Sequence, residues 1–339
     1  MDATPLSHKI LARLPLPLEE FMEIVMYDAE GGYYSQSSVI GKQHDFITAP
    51  EISPLFSHCL AQWCIDQWMN MGKPTPVNLI ELGAGQGTML KDILAVLKSV
   101  PDFFHVLSPV ILEKSPTLIS QQRATLKDYP NMSWISSLEV IEKGYSIILA
   151  NEFFDALPIQ YYRSTTQGLE QAMVTDLSQI SWTKVNNPLF PPSNQSIYFQ
   201  SRAYKIFVDQ IANLFQKTGG FGLIIDYGNE APGFTLQAIK NHKKIGIFEE
   251  LGKSDLTHHV DFCYLKSLFI DQKVNVLGPI NQSDFLKEIG IVEALENLKV
   301  KLSAKAYINH TLAMHRLISA AEMGELFKVM AIQGGSNGR

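Results

Sequence analysis

Apolar runs of strand length alternate with helical patterns along most of the chain. The clearest unit begins with the run Val77–Leu82, continues through three glycines at alternate positions, and ends in a helical pattern over residues 88–100. Other strand-length runs lie at 109–112, 132–135, 146–150, 221–225, 273–277 and 326–332. Further helical patterns lie at 201–217, 261–272, 283–298 and 303–319. This alternation predicts an α/β fold with a doubly wound sheet of seven strands.

Three segments depart from this alternation. Residues 1–75 carry helical patterns and prolines, and they predict a helical N-terminal extension and cap in front of a main domain at 76–339. Residues from about 157 to 200 contain alternating segments separated by turns, which predict an antiparallel insertion. Residues 229–260 form a second insertion that is polar and contains glycines, which predicts a long loop. Loops of this length in compact domains are usually functional or disordered.

The glycine turn after the first strand predicts a nucleotide-type ligand. Gly83, Gly85 and Gly87 lack a Cβ, so a ligand can approach the backbone and the N–H groups that begin the next helix. The dinucleotide fingerprint would need its third glycine at Thr88, and the Gly-Lys-Ser/Thr of a P-loop is absent. A strand ending in Glu-x-Gly-x-Gly-x-Gly, from Glu81 onward, is typical of Rossmann-like S-adenosylmethionine (AdoMet) methyltransferases.

Polar residues follow several of the predicted strands. Glu81, Glu113, Asn151 with Glu152, and Asp226 each stand at or just beyond the end of an apolar run. Ligands of doubly wound sheets bind beyond the carboxyl ends of the strands, so these residues predict an active site. Glu113 could accept hydrogen bonds from the ribose hydroxyls of an adenosine, or it could be a solvated glutamate beside Lys114.

Two carboxylates frame a pair of phenylalanines after the fourth strand. Glu152 and Asp155 could together hold a guanidinium, whose five donors suit bidentate carboxylates. Alternatively, Asp155 caps the next turn and both phenylalanines belong to the core. His258, His259 and Asp261 lie close together, but no further cysteine or histidine stands at ligand spacing, so no metal site is predicted.

Composition narrows the functional classes. The formal net charge of -6 argues against nucleic acid as a partner, which usually requires a basic face. The three cysteines form no CxxC pair, which is typical of reduced thiols in the cytoplasm. No apolar run approaches the roughly 18 residues of a membrane span. We therefore expect a cytoplasmic protein that neither binds nucleic acid nor enters a membrane.

Several motifs together resemble the MidA-like family of AdoMet-dependent methyltransferases. They occur in the family's order and cover nearly the whole chain, at residues 45–53, 81–88, 151–158, 226–228, 255–262 and 323–328. The family includes a mitochondrial arginine methyltransferase that acts in the assembly of respiratory complex I. This chain departs from the usual pattern at His44, Ala84, Gln86 and Leu251, where the family commonly has Gly, Pro, Arg and Pro.

The resemblance implies a class I methyltransferase fold, AdoMet as cofactor and a protein arginine as acceptor. The residues it implies for cofactor binding are Thr48, Pro50, Glu51, Glu81, Gly83, Ala84, Gly85, Gly87, Glu113 and Asn151. For catalysis, we expect Glu152 to clamp the guanidinium, helped by Asp155 or Asp45, with Asp226 closing the site. The residues implied for substrate binding are Tyr227, Asp255, Thr257 and His259.

The partner that the resemblance implies is a protein substrate, such as a respiratory complex I subunit. A homodimer is a further partner that we consider. An alternative is an assembly chaperone that keeps AdoMet binding without turnover. An NAD-dependent dehydrogenase is disfavoured by the early position of Gly87.

Overall fold

The computed structural model describes residues 4–35, 48–185, 196–230, 233–300 and 302–334. Asp45, one of the residues implied for catalysis, lies outside these residues. The elements that precede the central sheet are α1 (Pro5–Leu11), β1 (Leu16–Pro17), α2 (Leu18–Tyr27), α3 (Ala49–Ile52) and α4 (Pro54–Asn70). The helical N-terminal segment is therefore confirmed.

The glycine unit folds as the pattern predicts. The elements of this region are β2 (Val77–Leu82), α5 (Thr88–Leu97), α6 (Pro101–Phe104), β3 (Leu107–Leu112), α7 (Pro116–Thr125), β4 (Ser133–Ile135) and β5 (Tyr145–Asn151). The helix predicted over 88–100 ends at Leu97. Val100 leaves the helical conformation because it precedes Pro101, whose ring disfavours that conformation in the preceding residue.

The first insertion is antiparallel, as predicted. Its strands are β6 (Gln160–Thr165), β7 (Gly168–Val174), β8 (Ile180–Lys184) and β9 (Ile197–Gln200). β1 pairs antiparallel with β7, with Leu16 opposite Val174. The N-terminal segment is thus hydrogen-bonded to an insertion more than a hundred residues away.

The second insertion corrects a prediction. The elements that follow the first insertion are α8 (Arg202–Thr218), β10 (Gly220–Asn229), β11 (Gln237–Lys240), β12 (Lys243–Ile245), β13 (Asp255–Thr257) and β14 (Val260–Asp261). Residues 229–260 are therefore not simply a loop, because β11 pairs with both β12 and β13 in a small antiparallel sheet. These strands are only three or four residues long, so they carry too little hydrophobic alternation to be recognised.

The remaining elements complete the sheet and help to cover both of its faces. They are α9 (Phe262–Asp271), β15 (Asn275–Asn281), α10 (Gln282–Glu288), α11 (Ile291–Lys299), α12 (Ala304–Ile318), α13 (Met323–Leu326) and β16 (Phe327–Gly334). The single helix predicted over 283–298 is in fact two. Gly290 adopts a left-handed φ of 92° between them, which a continuous helix excludes.

The central sheet has the strand order β4-β3-β2-β5-β10-β16-β15, so the prediction of seven strands is confirmed. The first five strands are parallel, and β16 runs antiparallel to both of its neighbours. The short β14 adds a parallel pairing at the end of β10. Strand order reverses between β2 and β5, and ligands of such sheets bind in the crevice at that point.

Both faces of the sheet are buried, in two separate hydrophobic clusters. Along β5, Ile148 and Ala150 face a cluster that includes α2, α8 and the first insertion. Ile147 and Leu149 face the opposite cluster, which includes α4, α5 and α10. The N-terminal α2 therefore shares a core with the sheet and the insertion, and the domain boundary at 75/76 stays a prediction. In the part of the chain that is described, no helix is both long and apolar enough to span a bilayer.

Candidate active site

A cavity of about 750 Å³ lies where the predicted site residues were expected, at the carboxyl ends of the central strands. The predicted residues that line it are Thr48, Pro50, Glu51, Glu81, Gly83, Ala84, Gly85, Glu113, Asn151, Glu152, Asp155, Tyr227 and Asp255. Gly87, Asp226, Thr257 and His259 are described but do not line it. The strand ends that are separated in sequence thus meet around one space.

The glycine turn requires its glycines for backbone reasons. Gly83, Gly85 and Gly87 have φ values of 63°, 52° and 80°, a region that residues with a Cβ rarely adopt. A Cβ on Gly83 would stand 2.8 Å from Cδ2 of Phe153. Gly87 is the N-cap of α5 and does not line the cavity, so its contribution to cofactor binding is indirect.

Glu113 is held in place beside the glycine turn. Its Oε1 accepts the backbone N–H groups of Lys114 and Ser115, each at 2.8 Å. Its Oε2 accepts Nε2 of Gln122 at 3.3 Å, and the same nitrogen donates to the carbonyl of Gly85 at 2.9 Å. Gln122, which joins the residue after β3 to the glycine turn, has no recognisable pattern in the sequence. This fixed, partly buried carboxylate fits the hydroxyls of a ribose.

Two buried acceptors at the cavity wall are unsatisfied among the described residues. Glu81 is only 4% exposed, and its Oε2 has no hydrogen-bond partner there; neither has Oδ1 of Asn151. Burial raises the pKa of Glu81 to about 8. Because buried acceptors are costly unless paired, these atoms suit a ligand that brings donors, such as the amino group of AdoMet. With the ribose position at Glu113, the residues present fit this cofactor.

The second side of the cavity is the acidic turn, residues 152–155. Glu152 has a φ of 52° and donates its N–H to the carbonyl of Ile225 at 2.9 Å. Its Oε1 accepts the N–H of Ala49 at 3.3 Å and Nδ2 of Asn151 at 3.2 Å. Burial, and next the charge of Asp155, raise the pKa of Glu152 to about 8. The side chain is oriented and retains proton affinity near neutral pH.

Asp155 is the more deeply buried carboxylate of this turn. It is 8% exposed, and its Oδ2 accepts the hydroxyl of Thr257 at 2.8 Å. Its Oδ1 has no hydrogen-bond partner among the described residues. Burial raises the pKa of Asp155, and the hydrogen bond from Thr257 opposes that change. Asp155 therefore lines the cavity, and one of its carboxylate oxygens is buried and unpaired among the described residues.

Asp226 does not fit a direct catalytic role. It is fully buried, and its Oδ2 accepts the backbone N–H groups of Phe153, Phe154 and Asp155 at 3.0–3.2 Å. Its Oδ1 accepts the N–H of Tyr227 at 2.9 Å. The carboxylate lies behind the cavity wall and binds the backbone of the acidic turn, so its contacts favour a positioning role.

Thr257 and His259 also support the wall rather than form it. The hydroxyl of Thr257 contacts that of Tyr227 as well as Asp155. His259 donates its backbone N–H to Oγ1 of Thr235 at 3.0 Å, and its ring packs 5.2 Å from the ring of Tyr227. The positions of these two residues therefore argue against direct contact with the substrate. Among the described residues, no cluster of three His, Cys, Asp or Glu could hold a metal ion.

One part of the cavity, formed by the N-terminal segment, is not predicted from the sequence. Glu23, Tyr27, Tyr33 and Tyr34 line it, although they lie far from the glycine turn in sequence. The hydroxyl of Tyr27 donates to the carbonyl of Ala156 at 2.9 Å. Tyr33 and Tyr34 follow a pair of glycines, and nothing in that sequence indicates which surface they face.

The cavity is strongly acidic. Its described lining includes seven carboxylates, from Glu23, Glu51, Glu81, Glu113, Glu152, Asp155 and Asp255. Lys114 is the only basic residue among the described residues that line it. Because a nearby positive charge favours the ionised form of carboxyl groups, a partly enclosed space lined by them suits a cationic ligand.

Known proteins match this chain over most of its length. The family described as "Putative S-adenosyl-L-methionine-dependent methyltransferase" matches residues 59–280. Protein arginine methyltransferase NDUFAF7 of Danio rerio is 32% identical, covering 96% of this chain and 85% of that protein. The Homo sapiens protein of the same name is 31% identical, covering 96% and 82%.

The fold also matches a solved structure. A crystal structure of a Burkholderia thailandensis protein bound to S-adenosyl-homocysteine superposes with a TM-score of 0.83 at 26% identity, covering 98% of this chain and 92% of that one. The predicted class I fold, the family resemblance and AdoMet as cofactor are confirmed by these matches. The chain belongs to this family of AdoMet-dependent methyltransferases.

Proposed function

We propose that this protein methylates an arginine side chain of a protein substrate. The observation that carries the proposal is the acidic turn: the carboxylates of Glu152 and Asp155 face the same cavity as the glycine turn that fits AdoMet. AdoMet, when bound, supplies an electrophilic methyl group on a sulfonium. The acceptor must then be a nucleophile that an acidic cavity attracts and orients.

A guanidinium meets both requirements. It carries a positive charge and five donors in a planar fork, and carboxylates bind such forks in pairs of hydrogen bonds. Oδ1 of Asp155 is an acceptor without a partner among the described residues, and Glu152 is oriented by Ala49 and Asn151. Carboxylates bound to two of the nitrogens draw the positive charge toward those nitrogens. The lone pair of the third nitrogen is then more available for reaction.

We assign Glu152 a second role, which is to accept a proton from the arginine. The arginine nitrogen that gains a methyl group must lose one proton for the charge to balance. Since burial and Asp155 raise the pKa of Glu152 to about 8, its carboxylate is a stronger base than an exposed glutamate. Glu51 adds a further negative charge near Glu152.

The relatives support the acceptor class, because their names call them protein arginine methyltransferases and mitochondrial proteins. A respiratory complex I subunit as the protein substrate and a homodimer are further parts of this proposal, and the family resemblance is their support. A cytoplasmic location is also part of it, and its support is the cysteine pattern of the sequence. The absence of any membrane-spanning helix among the described residues is compatible with them.

The test is to identify the acceptor directly. The full chain is incubated with AdoMet carrying a trideuterated methyl group and with lysate proteins from cells that lack the protein. Mass spectrometry should find the heavy methyl group on arginine. Heavy label on lysine, or on another side chain, would refute arginine as the acceptor. If AdoMet binds by calorimetry but no protein is labelled, the chaperone alternative is favoured instead.

A further inference from the structure

A second group of charged and aromatic side chains lies where the cavity meets solvent. Glu23 is exposed, Tyr27 is 37% exposed and otherwise packed against its neighbours, and Asp255 is half-buried; all three line the cavity. We call these three residues the cavity mouth. Glu23 and Tyr27 are four positions apart on α2, so they lie on the same face of the helix.

The mouth is built on fixed elements. The ring of Tyr27 stacks against that of Tyr34, with centroids 5.5 Å apart and planes 25° from parallel. Its hydroxyl is held by the carbonyl of Ala156 at 2.9 Å. The N–H of Leu256 points at the sulfur of Met26 at 3.3 Å, which joins the last turn of α2 to β13 and brings Asp255 beside it.

Several negative charges surround the Tyr27 ring. Burial, followed by the charges of Asp255, Glu23 and Asp155, raises the pKa of Tyr27 well above its ordinary value. Ala156, which holds the Tyr27 hydroxyl, adjoins Asp155, the buried carboxylate whose Oδ1 has no partner among the described residues. An aromatic face with carboxylates around it attracts cations through both ring and charge.

We propose that Glu23, Tyr27 and Asp255 form a recognition subsite for a basic side chain that flanks the methylated arginine of the protein substrate. This inference rests on the proposed function, because it assumes that an arginine occupies the acidic turn. Ala156, which follows that turn directly, accepts the hydrogen bond of Tyr27, so a neighbour of the arginine in the same peptide can reach the mouth. The preferred substrate is then a basic segment rather than an isolated arginine.

Fluorescent peptides test this directly on the full chain. Each peptide carries one central arginine flanked on both sides by lysine, alanine or glutamate, and binding is measured by anisotropy with saturating S-adenosyl-homocysteine. The lysine-flanked peptide should bind roughly tenfold more tightly than the glutamate-flanked one at low salt, since each exposed charge pair contributes a few-fold. This ratio should shrink in 0.5 M salt, because salt screens exposed charges.

Variants assign the preference to the mouth. The double variant Glu23→Gln/Asp255→Asn should lose most of the ratio, and Tyr27→Leu should weaken binding of the lysine-flanked peptide more than Tyr27→Phe does. A matched double variant of exposed acids outside the cavity, Asp128→Asn/Glu142→Gln, should keep the wild-type ratio. Calorimetry with S-adenosyl-homocysteine verifies that each variant is folded.

The proposal is overturned if wild-type protein does not distinguish the three flanks, if the lysine-flanked peptide does not bind, or if Glu23→Gln/Asp255→Asn keeps the full ratio. A peptide with lysine in place of the central arginine separates the two hypotheses. Undiminished binding of that peptide would refute arginine at the acidic turn, whereas the ratio between flanks still measures the mouth.

Discussion

The two sides of the cavity are built in different ways. The glycine side consists mainly of one continuous segment, residues 81–88, whose shape comes from its own backbone and from left-handed glycines. The acidic turn is assembled from distant parts of the chain. It depends on Asp226 from β10, Ala49 from α3 and Thr257 from β13. The cofactor side is therefore mainly local in sequence, whereas the proposed acceptor side depends on tertiary structure.

The strongest test of this division is Glu152→Gln. Turnover on an arginine peptide should fall by about 10²–10⁴-fold, since the variant loses a carboxylate that binds the guanidinium and accepts its proton. AdoMet affinity, measured by calorimetry, should change little. Glu113→Gln is the matched control on the glycine side, where AdoMet affinity should fall. Undiminished methylation by Glu152→Gln would contradict the assignment of Glu152 as the residue that binds the guanidinium and accepts its proton.

The next largest effect is expected at the glycine turn. Gly83→Ala should weaken AdoMet binding by roughly a hundredfold, because its Cβ would clash with Phe153 in addition to the left-handed backbone cost of about 1–2 kcal/mol. Gly72→Ala is the control: Gly72 has a φ of 76°, but a Cβ there meets nothing within 4 Å. Calorimetry should show near-normal AdoMet affinity for that variant. Equal affinity in both variants would mean that the Phe153 contact is unimportant.

Asp226→Asn separates a positioning role from a catalytic one. An amide keeps only one acceptor oxygen, so some of the N–H groups that now bind the carboxylate lose their partner, at a cost of about 1–3 kcal/mol in the free energy of unfolding. Denaturant titration should detect this loss, and turnover should fall with it. A variant of full stability but no activity would instead indicate that Asp226 acts in the chemistry.

The smallest effect concerns the pH dependence of stability. The pKa of Glu81 is about 8 in the folded protein and near 4.5 in an exposed chain, so the folded state binds more protons between these pH values. Stability should therefore fall as pH rises through this range. Glu81→Gln should melt a few degrees higher than wild type at pH 8.5 and equally at pH 4. The exposed Glu142→Gln should show no such difference, and a wild-type-like melting profile for Glu81→Gln would contradict the argument.

Features encoded in neighbouring residues were predictable from sequence, and those encoded by distant contacts were not. The seven strands and the glycine turn follow from local hydrophobic period and glycine spacing, and both agree with the structure. The hydrogen bonds of Asp226 to the acidic turn could not be predicted, because a polar residue at a strand end looks the same in sequence whether it faces a ligand or a neighbouring turn. Gln122 and Tyr27 have no local signal, since each matters only through contacts across the fold.

The position of β16 has a consequence for synthesis of the protein. This strand lies between β10 and β15, and it comes last among the described elements. During translation β10 and β15 therefore emerge before the strand that joins them, and β10 keeps an open edge that can pair wrongly with other chains. The nascent protein cannot close its sheet until residues 327–334 have left the ribosome.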